Sequence, residues 1–468
     1  MKKMKLTIQD IFNVPTSEIF NPDNFKPVSS VIIDSRNMVK NSLFVAIKGS
    51  KFDGHNYLRE AVKNGASAVV INKSKYKNFY DIDIPVITVK DTTIALGDIA
   101  KIWRKKLSET SRTKIIAITG SNGKTSTKEM IAELLNEKYS VNKTTGNNNN
   151  HIGVPLTIFS TNEKHDILVL ELGTNHFGEI KYTSDIAKPD YALITNIGNS
   201  HLEFLKDRKG VLKEKEALFK ITEEQNGFLF INNDDKMLRR TANRYKNKLI
   251  YGFSHQANKS IKVDVEGKLS GYTDDGRPKI EIKYKNKKIV HFLPLFGKHN
   301  ASNYLAAVAV GLKLGLTKND LESGTKKIKA VNKRLNVKKI KDFILIDDTY
   351  NANPESMKFA FEFLSQFKNY RRKIAVLGDM FELGKDEIEL HKKLEPYIMK
   401  NKISELYTTG KRMRYLSEEI DDADIIKKHF RSRENLKSFL KSLVLSNSII
   451  LFKGSRGMKM EDFIKVLE

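Results

Sequence analysis

Two glycines, a lysine and a threonine stand together in Thr119-Gly120-Ser121-Asn122-Gly123-Lys124-Thr125-Ser126. Ahead of them the β-branched run Ile115 to Ile118 reads as a buried strand. Behind them a helix is expected to begin near Ser126, with Met130, Ile131, Leu134 and Leu135 on one face. At such a strand-to-helix junction the glycines let backbone N–H groups close around an anion, and the helix N-terminus adds its positive dipole end. Lys124 would reach the β/γ-phosphates and the Thr125 hydroxyl would ligate Mg²⁺. Gly120, Asn122, Gly123, Lys124, Thr125 and Ser126 are therefore the candidate nucleotide-binding set. The motif is a shortened GxxGKT, because Ile118 stands where the longer phosphate-loop pattern has glycine. A ligand-free glycine turn is the bland alternative, and the strand-to-helix setting argues against it.

Other chemistry-bearing residues stand where strands should end. Glu171 closes the apolar run Ile167 to Leu170, and the carboxyl end of a parallel strand faces the ligand crevice. A carboxylate there is a natural partner for Mg²⁺. His201 follows the apolar run Tyr191 to Ile197, in the same layer, so a metal role is open to it. Four successive asparagines, Asn147 to Asn150, cannot pack in a core and offer amide groups to a ligand from a polar loop. Lys213 and Lys215 lie in an ordinary charged amphipathic helix, and their surroundings single out neither. Asn300 and Asn303 sit one turn apart at the start of another helix. Asp347-Asp348-Thr349-Tyr350-Asn351-Ala352-Asn353-Pro354, Gly378-Asp379-Met380 and Lys453-Gly454-Ser455-Arg456 mark three further strand ends that converge on one edge. Near the start, Asp34-Ser35-Arg36 and Asp53-Gly54-His55 follow two short apolar runs and suggest a small-ligand surface.

The elements that must hold these residues are α/β throughout. With 468 residues the chain has length for roughly three domains of ~150 residues. The expected division is a small α/β N-terminal domain (1–110), a central phosphate-loop ATPase domain with a parallel sheet (111–332), and a Rossmann-like C-terminal domain (333–468). Leu96, Ile99, Ala100, Trp103 and Leu107 fall at helical spacing, and polar Ser108 to Arg112 reads as the linker that follows. Residues 256–296 are strand-rich and read as a hairpin insertion. In the last domain, strands around 343–346, 374–377, 406–407 and 449–452 alternate with helices, without GxGxxG after the first.

Composition narrows the classes. The absence of cysteine excludes disulfides, thiolate nucleophiles and Cys-zinc sites. No run approaches the ~18 apolar residues of a membrane span. The start is basic, but Gln9 and Asp10 interrupt any signal-peptide core, so a cytoplasmic enzyme is expected. The net charge of +26 is spread along the chain among Glu and Asp, which reads as a lysine-rich solvated surface rather than a nucleic-acid-binding tail.

Taken together these motifs resemble the Mur ligase family of peptidoglycan precursor enzymes over essentially the whole chain. The phosphate loop, Thr145 to Pro155, Glu171-Leu172-Gly173, Asn196 to His201 and Gly297 to Asn303 carry the resemblance, and Asp348 to Ser356 most of all. That last segment is similar to the branch adding D-alanyl-D-alanine to UDP-N-acetylmuramoyl-tripeptide; no His follows Tyr350, as it would in the sibling that adds lysine or diaminopimelate. The resemblance implies ATP, two Mg²⁺ and a CO₂-carbamylated lysine. Lys124 and Thr125 would hold phosphate and the first Mg²⁺ with Glu171, while His201 and Lys215 would ligate the second, Lys213 being the competing position for the carbamate. Asn300 would contact adenine, and Arg334 and Asp348 would reach ATP from the C-terminal domain. Ser35, Arg36 and Asp53 would bind the uridine diphosphate; Asn147, Asn149, Tyr350, Asn351 and Asn353 would line the peptide side. A monomer acting without nucleic acid or membrane completes the expectation. The rivals are the sibling ligase, a folate-polyglutamate-type ligase and a nucleic-acid-stimulated NTPase.

Overall fold

A computed structural model describes residues 4–111, 113–253, 262–273 and 277–467. Arg112 of the expected linker, the basic Met1 to Lys3 start and the 256–261 opening of the strand-rich stretch lie outside the described residues. Among the described residues three α/β sheets succeed one another along the chain. The first orders its strands Glu18–Phe20, Val86–Val89, Ala66–Asn72, Ser42–Val45, Ser30–Ile32, all parallel except the edge strand Glu18–Phe20.

The central sheet runs Lys287–Phe292, Pro278–Tyr284, Val265–Tyr272, Lys248–Phe253, Phe228–Asn232, Tyr191–Ile194, Lys114–Thr119, Ile167–Glu171, Val141–Lys143. From Val265–Tyr272 onward every neighbouring pair is parallel. Parallel strands buried on both faces need continuous apolar runs, which Ile115 to Ile118 and Ile167 to Leu170 supply with 2% exposure or less. The expected hairpin is present, Pro278–Tyr284 pairing antiparallel with Lys287–Phe292, and it extends the edge of this sheet rather than standing apart from it. Val265–Tyr272 pairs with Lys248–Phe253, and the alternating Ile280 and Ile282 are buried in the same core as the helix Lys298–Lys313.

The third sheet orders Asn336–Ile340, Phe343–Asp348, Ser448–Lys453, Arg372–Gly378, Glu405–Thr409, Ile426–Phe430, with only the first strand antiparallel. Its two edge strands, Asn336–Ile340 and Ile426–Phe430, escaped the apolar-run reading because they are mostly half-buried to exposed and carry lysines, a common way of blunting a sheet edge.

The helix Thr92–Thr110 joins the first two sheets. Ser108, Glu109 and Thr110, expected in a linker, complete this helix, with their polar side chains exposed beyond the buried Leu107. Trp103 donates its indole N–H to the Thr161 carbonyl (2.9 Å). Arg104 reaches the carbonyls of Ala187 (2.9 Å) and Lys188 (3.0 Å) and the carboxylate of Asp190 (2.9 Å). A single apolar cluster consequently runs from Val45 and Val70 through Trp103 into Ala117 and Leu170. Among the described residues no helix is long and apolar enough to cross a membrane.

Candidate active site

The phosphate loop leaves the central strand Lys114–Thr119, and the helix starts at Lys124, two residues earlier than the apolar spacing suggested. Gly123, at φ +81°, turns the chain into that helix, so Lys124 and Thr125 stand on its first turn beside the open N–H groups. Gly120, at φ +151°, passes so close to the neighbouring strand end that a Cβ there would sit 1.8 Å from Thr195 Oγ1. Thr195 and Asn196 then frame the loop: both donate to the Asn122 carbonyl (2.6 and 3.0 Å), and Asn196 Oδ1 accepts the Asn122 N–H (3.0 Å). Lys124 curls over the loop, with Nζ 2.7 Å from the Gly120 carbonyl.

A cavity of about 750 Å³ opens from this loop. Glu171 enters it from the adjacent strand end. Its Oε1 accepts from Asn149 Nδ2 (3.0 Å), while Oε2 is buried without a hydrogen-bond donor, 3.9 Å from the buried Lys128 Nζ. Lys128 also donates to the Thr144 carbonyl (2.6 Å) and is paired with Glu129 (2.9 Å). His201 lines the same cavity. Its Nδ1 lies 2.5 Å from Glu382 Oε2, and that carboxylate partly offsets the burial that disfavours the imidazolium. Asn300 and Asn303 line the far side, next to His299, whose imidazole burial holds down to about 4.

The two lysines that sequence alone left level are sharply different. Lys215 is 1% exposed, and burial next to Lys124 pushes its ammonium well below the ordinary lysine range, with Glu214 only partly offsetting this. Lys213 is exposed, with Nζ 5.9 Å above the Phe177 ring. Lys124 and His201 are shifted in the same direction, mainly by burial. A pocket crowded with disfavoured positive charge is suited to a polyanion.

The C-terminal sheet closes the cavity. Arg334 donates from Nη2 to Thr125 Oγ1 (3.0 Å) and stacks 3.9 Å above the Tyr350 ring, and its Nε is buried without an acceptor. Tyr350 donates to Asn147 Oδ1 (2.7 Å), and Asn353 Nδ2 to Asn122 Oδ1 (2.8 Å). Asn353 also caps the helix Pro354–Ser365 through the Ser356 N–H (2.8 Å), which aims the segment. Glu355 takes Asn199 Nδ2 (2.8 Å). Asp348 is paired with Lys453 at 2.5 Å, and burial raises its carboxyl against that lysine's pull. Asn351 gives its carbonyl to the same Lys453 (3.1 Å). Tyr350, Asn351 and Asn353 thus reach the cavity together with Lys124, Glu171, His201 and Arg334.

Ser35, Arg36 and Asp53 are not among the cavity's lining residues. Arg36 is fork-paired with Asp34 (2.9 and 2.8 Å), and Asp53 holds His55 Nδ1 (2.6 Å). Glu382 and Lys128 were missed by sequence reasoning, which did place Lys453 at a strand end facing the crevice. Glu382 lies in an irregular turn and gains meaning only from His201, 181 positions away, so no local pattern could reveal it.

Among the described residues no group of three His, Cys, Asp or Glu side chains is placed to hold a metal. The site nevertheless fits Mg²⁺, which is held by one or two carboxylates with substrate phosphates supplying further oxygens. The unpaired Glu171 Oε2 and the Thr125 hydroxyl are the oxygens available for it, and the unpaired Arg334 Nε complements a phosphate.

A phosphate loop at a parallel-sheet edge, capped by a second parallel-sheet unit, defines a nucleotide-dependent α/β enzyme whose ligand is enclosed between domains. Three family descriptions match in turn: "Mur ligase family, catalytic domain" over residues 27–104, "Mur ligase middle domain" over 118–311, and "Mur ligase, glutamate ligase domain" over 333–456. The chain belongs to the Mur ligase family and is an ATP-dependent ligase. It is 34% identical over 476 residues to UDP-N-acetylmuramoyl-tripeptide–D-alanyl-D-alanine ligase of Bacillus subtilis (strain 168), covering 99% of this chain and 98% of that protein. The crystal structure of MurF from Acinetobacter baumannii superposes with a TM-score of 0.87 at 29% identity, over 100% of this chain and 99% of the other. MurF from Thermotoga maritima, in complex with ADP, superposes with a TM-score of 0.78 at 30% identity, over 93% and 96%.

Proposed function

We propose that this chain joins D-alanyl-D-alanine to UDP-N-acetylmuramoyl-tripeptide at the cost of ATP, in peptidoglycan precursor synthesis. The observation that carries the reading is the shared cavity, where the phosphate loop meets the Tyr350 to Asn353 segment, in a chain alike end to end to ligases of that name. The division at 110/111 and 332/333 follows the three sheets. A monomer in the cytoplasm is part of the same reading.

In the first step an oxygen of the tripeptide's terminal carboxylate forms a bond to the γ-phosphorus while the β,γ-bridging bond breaks, releasing ADP. In the second the dipeptide's free amine forms the amide and phosphate leaves with that carboxylate oxygen. Lys124 and Arg334 hold the γ-phosphoryl between them, one from each domain. Thr125 and Glu171 would offer oxygens to one Mg²⁺, and a carbamylated Lys215 would offer an oxygen, and His201 a ring nitrogen, to a second. Bound Mg²⁺ neutralises charge on the phosphoryl oxygens. Burial favours a neutral Lys215 amine, the form that adds CO₂, and a carbamate supplies the hard oxygen that Mg²⁺ prefers. Asn300 faces the adenine, and Asp348, held by Lys453, steadies Arg334's segment. Closure by the C-terminal sheet excludes water from the acyl phosphate. Ser35, Arg36 and Asp53 receive the uridine diphosphate.

The test is Mg²⁺- and ATP-dependent phosphate release in two parallel reactions: UDP-muramoyl-tripeptide with D-alanyl-D-alanine, and UDP-muramoyl-dipeptide with lysine or diaminopimelate. Turnover in the first alone is expected. Turnover in the second alone makes this chain the sibling ligase.

A further inference from the structure

His201 and Glu382 belong to different sheets' domains and share one uncommon feature. Both are non-glycine residues in the left-handed backbone region, at φ +55° and +62°. Such conformations disfavour L-residues and persist where the surrounding structure imposes them, commonly at functional sites. Here the two meet, with His201 Nδ1 2.5 Å from Glu382 Oε2.

The turn that carries Glu382 is anchored firmly on the C-terminal side. Met380 N–H donates to His391 Nε2 (2.9 Å), Phe381 N–H to Ser455 Oγ (2.7 Å), and Leu383 is buried in that domain's core. On the other side the Glu382 carbonyl accepts the Glu203 N–H (3.2 Å). Gly384, at φ +70°, lies so close that a Cβ there would sit 3.2 Å from Glu203 Cα. Both the backbone and the side chain of this turn therefore address the His201 to Glu203 segment of the central domain.

We infer that Glu382 is a positioning residue: closure of the C-terminal domain brings its carboxylate onto His201 Nδ1, which fixes the ring and leaves Nε2 as the nitrogen free for a cation in the cavity. A carboxylate behind a ligating histidine sets its tautomer and orientation and raises its basicity. In this chain the carboxylate comes from the C-terminal domain, so the histidine is fully oriented only when the two domains meet as they do here. Cation binding on that side and domain closure then favour one another, since any ligand preferring the closed form shifts the population toward it. The inference rests on the reading of His201 as a metal-side residue.

The experiment counts Mn²⁺, standing in for Mg²⁺, by electron paramagnetic resonance on the full-length protein with a non-hydrolysable ATP analogue. It compares the unaltered chain with His201→Ala, Glu382→Ala, Glu382→Gln and the double alanine variant. The expected result is that Glu382→Ala weakens the second Mn²⁺ by roughly ten- to a hundredfold. Glu382→Gln, which keeps an oxygen acceptor for Nδ1–H, recovers most of that affinity. The double variant binds no worse than His201→Ala, as coupled residues should, and the thermal midpoint of Glu382→Ala is unchanged. A Glu382→Ala protein that binds both ions normally while His201→Ala does not overturns the role of Glu382. Normal binding by His201→Ala removes instead the metal-side reading beneath it.

Discussion

The cavity between the second and third sheets and the loops of the first sheet carry similar residue types in opposite electrostatic states. Lys124 and His201, half-buried, and Asp348, buried, line the cavity, while Lys215 is buried outside its lining and close enough to feel the charge of Lys124; burial acts against the charged form of each. In the N-terminal loops Arg36 and Asp53 are satisfied within two residues of themselves, by Asp34 and His55. The first region holds cationic groups in surroundings that disfavour their charge, a cost that a polyanionic nucleotide can relieve. The second must exchange existing pairs for a diphosphate, and exposed pairs of that kind contribute little by themselves. Chemistry is expected where charge has been left unbalanced, and recognition where it is already paired.

The strongest way to break this contrast is to remove the lysine whose charge burial disfavours most strongly. Lys215→Ala should lower kcat by at least ~10²-fold, as removal of a preorganised charge-stabilising group does, and added short carboxylates should restore a part. Lys213→Ala, two positions away but exposed, should stay within about twofold, since surface substitutions away from a site change little. Equal losses would mean that burial does not distinguish the pair. Arg334→Lys comes next. A lysine keeps the charge but loses the stack on Tyr350 and the reach to Thr125, so kcat/KM should fall roughly tenfold or more, measured by steady-state phosphate release.

Stability against pH sharpens the same contrast, because the two regions titrate with opposite sign. Burial lifts Asp234, on the cavity wall, to about 6. Between the unfolded value of 3.8 and about 6 the folded chain keeps a proton that the unfolded chain has released, so its stabilising share is present below that window and is lost as pH rises through it. Asp234→Asn should flatten this dependence, by roughly 2–3 kcal/mol between pH ~4 and ~6.5, in urea unfolding. Asp34 behaves inversely. Arg36 holds it down at about 2, so its contribution is present above 3.8 and disappears as pH falls through about 2. Being exposed, that pair should also fade with salt. The smallest effect is expected from Arg36→Ala: a severalfold rise in KM for the UDP-peptide with kcat unchanged, since only uniform binding is removed.

Legibility in the sequence followed the same divide. Strands buried on both faces announced themselves as continuous apolar runs, and with them came the phosphate loop, Glu171 and His201 at their ends. The lysine-bearing edge strands Asn336–Ile340 and Ile426–Phe430 did not, because their side chains answer to solvent rather than to a core. Lys215 could not be told from Lys213, since a helix of alternating charge does not reveal which face the third dimension buries. Contacts across domains, such as Arg334 with Thr125 and Glu382 with His201, depend on how two sheets dock and leave no trace in local spacing.

The most direct measurement follows the oxygen atoms. UDP-muramoyl-tripeptide labelled with oxygen-18 in its terminal carboxylate is turned over with ATP and D-alanyl-D-alanine, and the released phosphate and the product peptide are weighed by mass spectrometry. Transfer of one labelled oxygen to phosphate for every amide formed is the predicted result. Unlabelled phosphate, or phosphate released without a pentapeptide product, would contradict ligation through an acyl phosphate at this interdomain site.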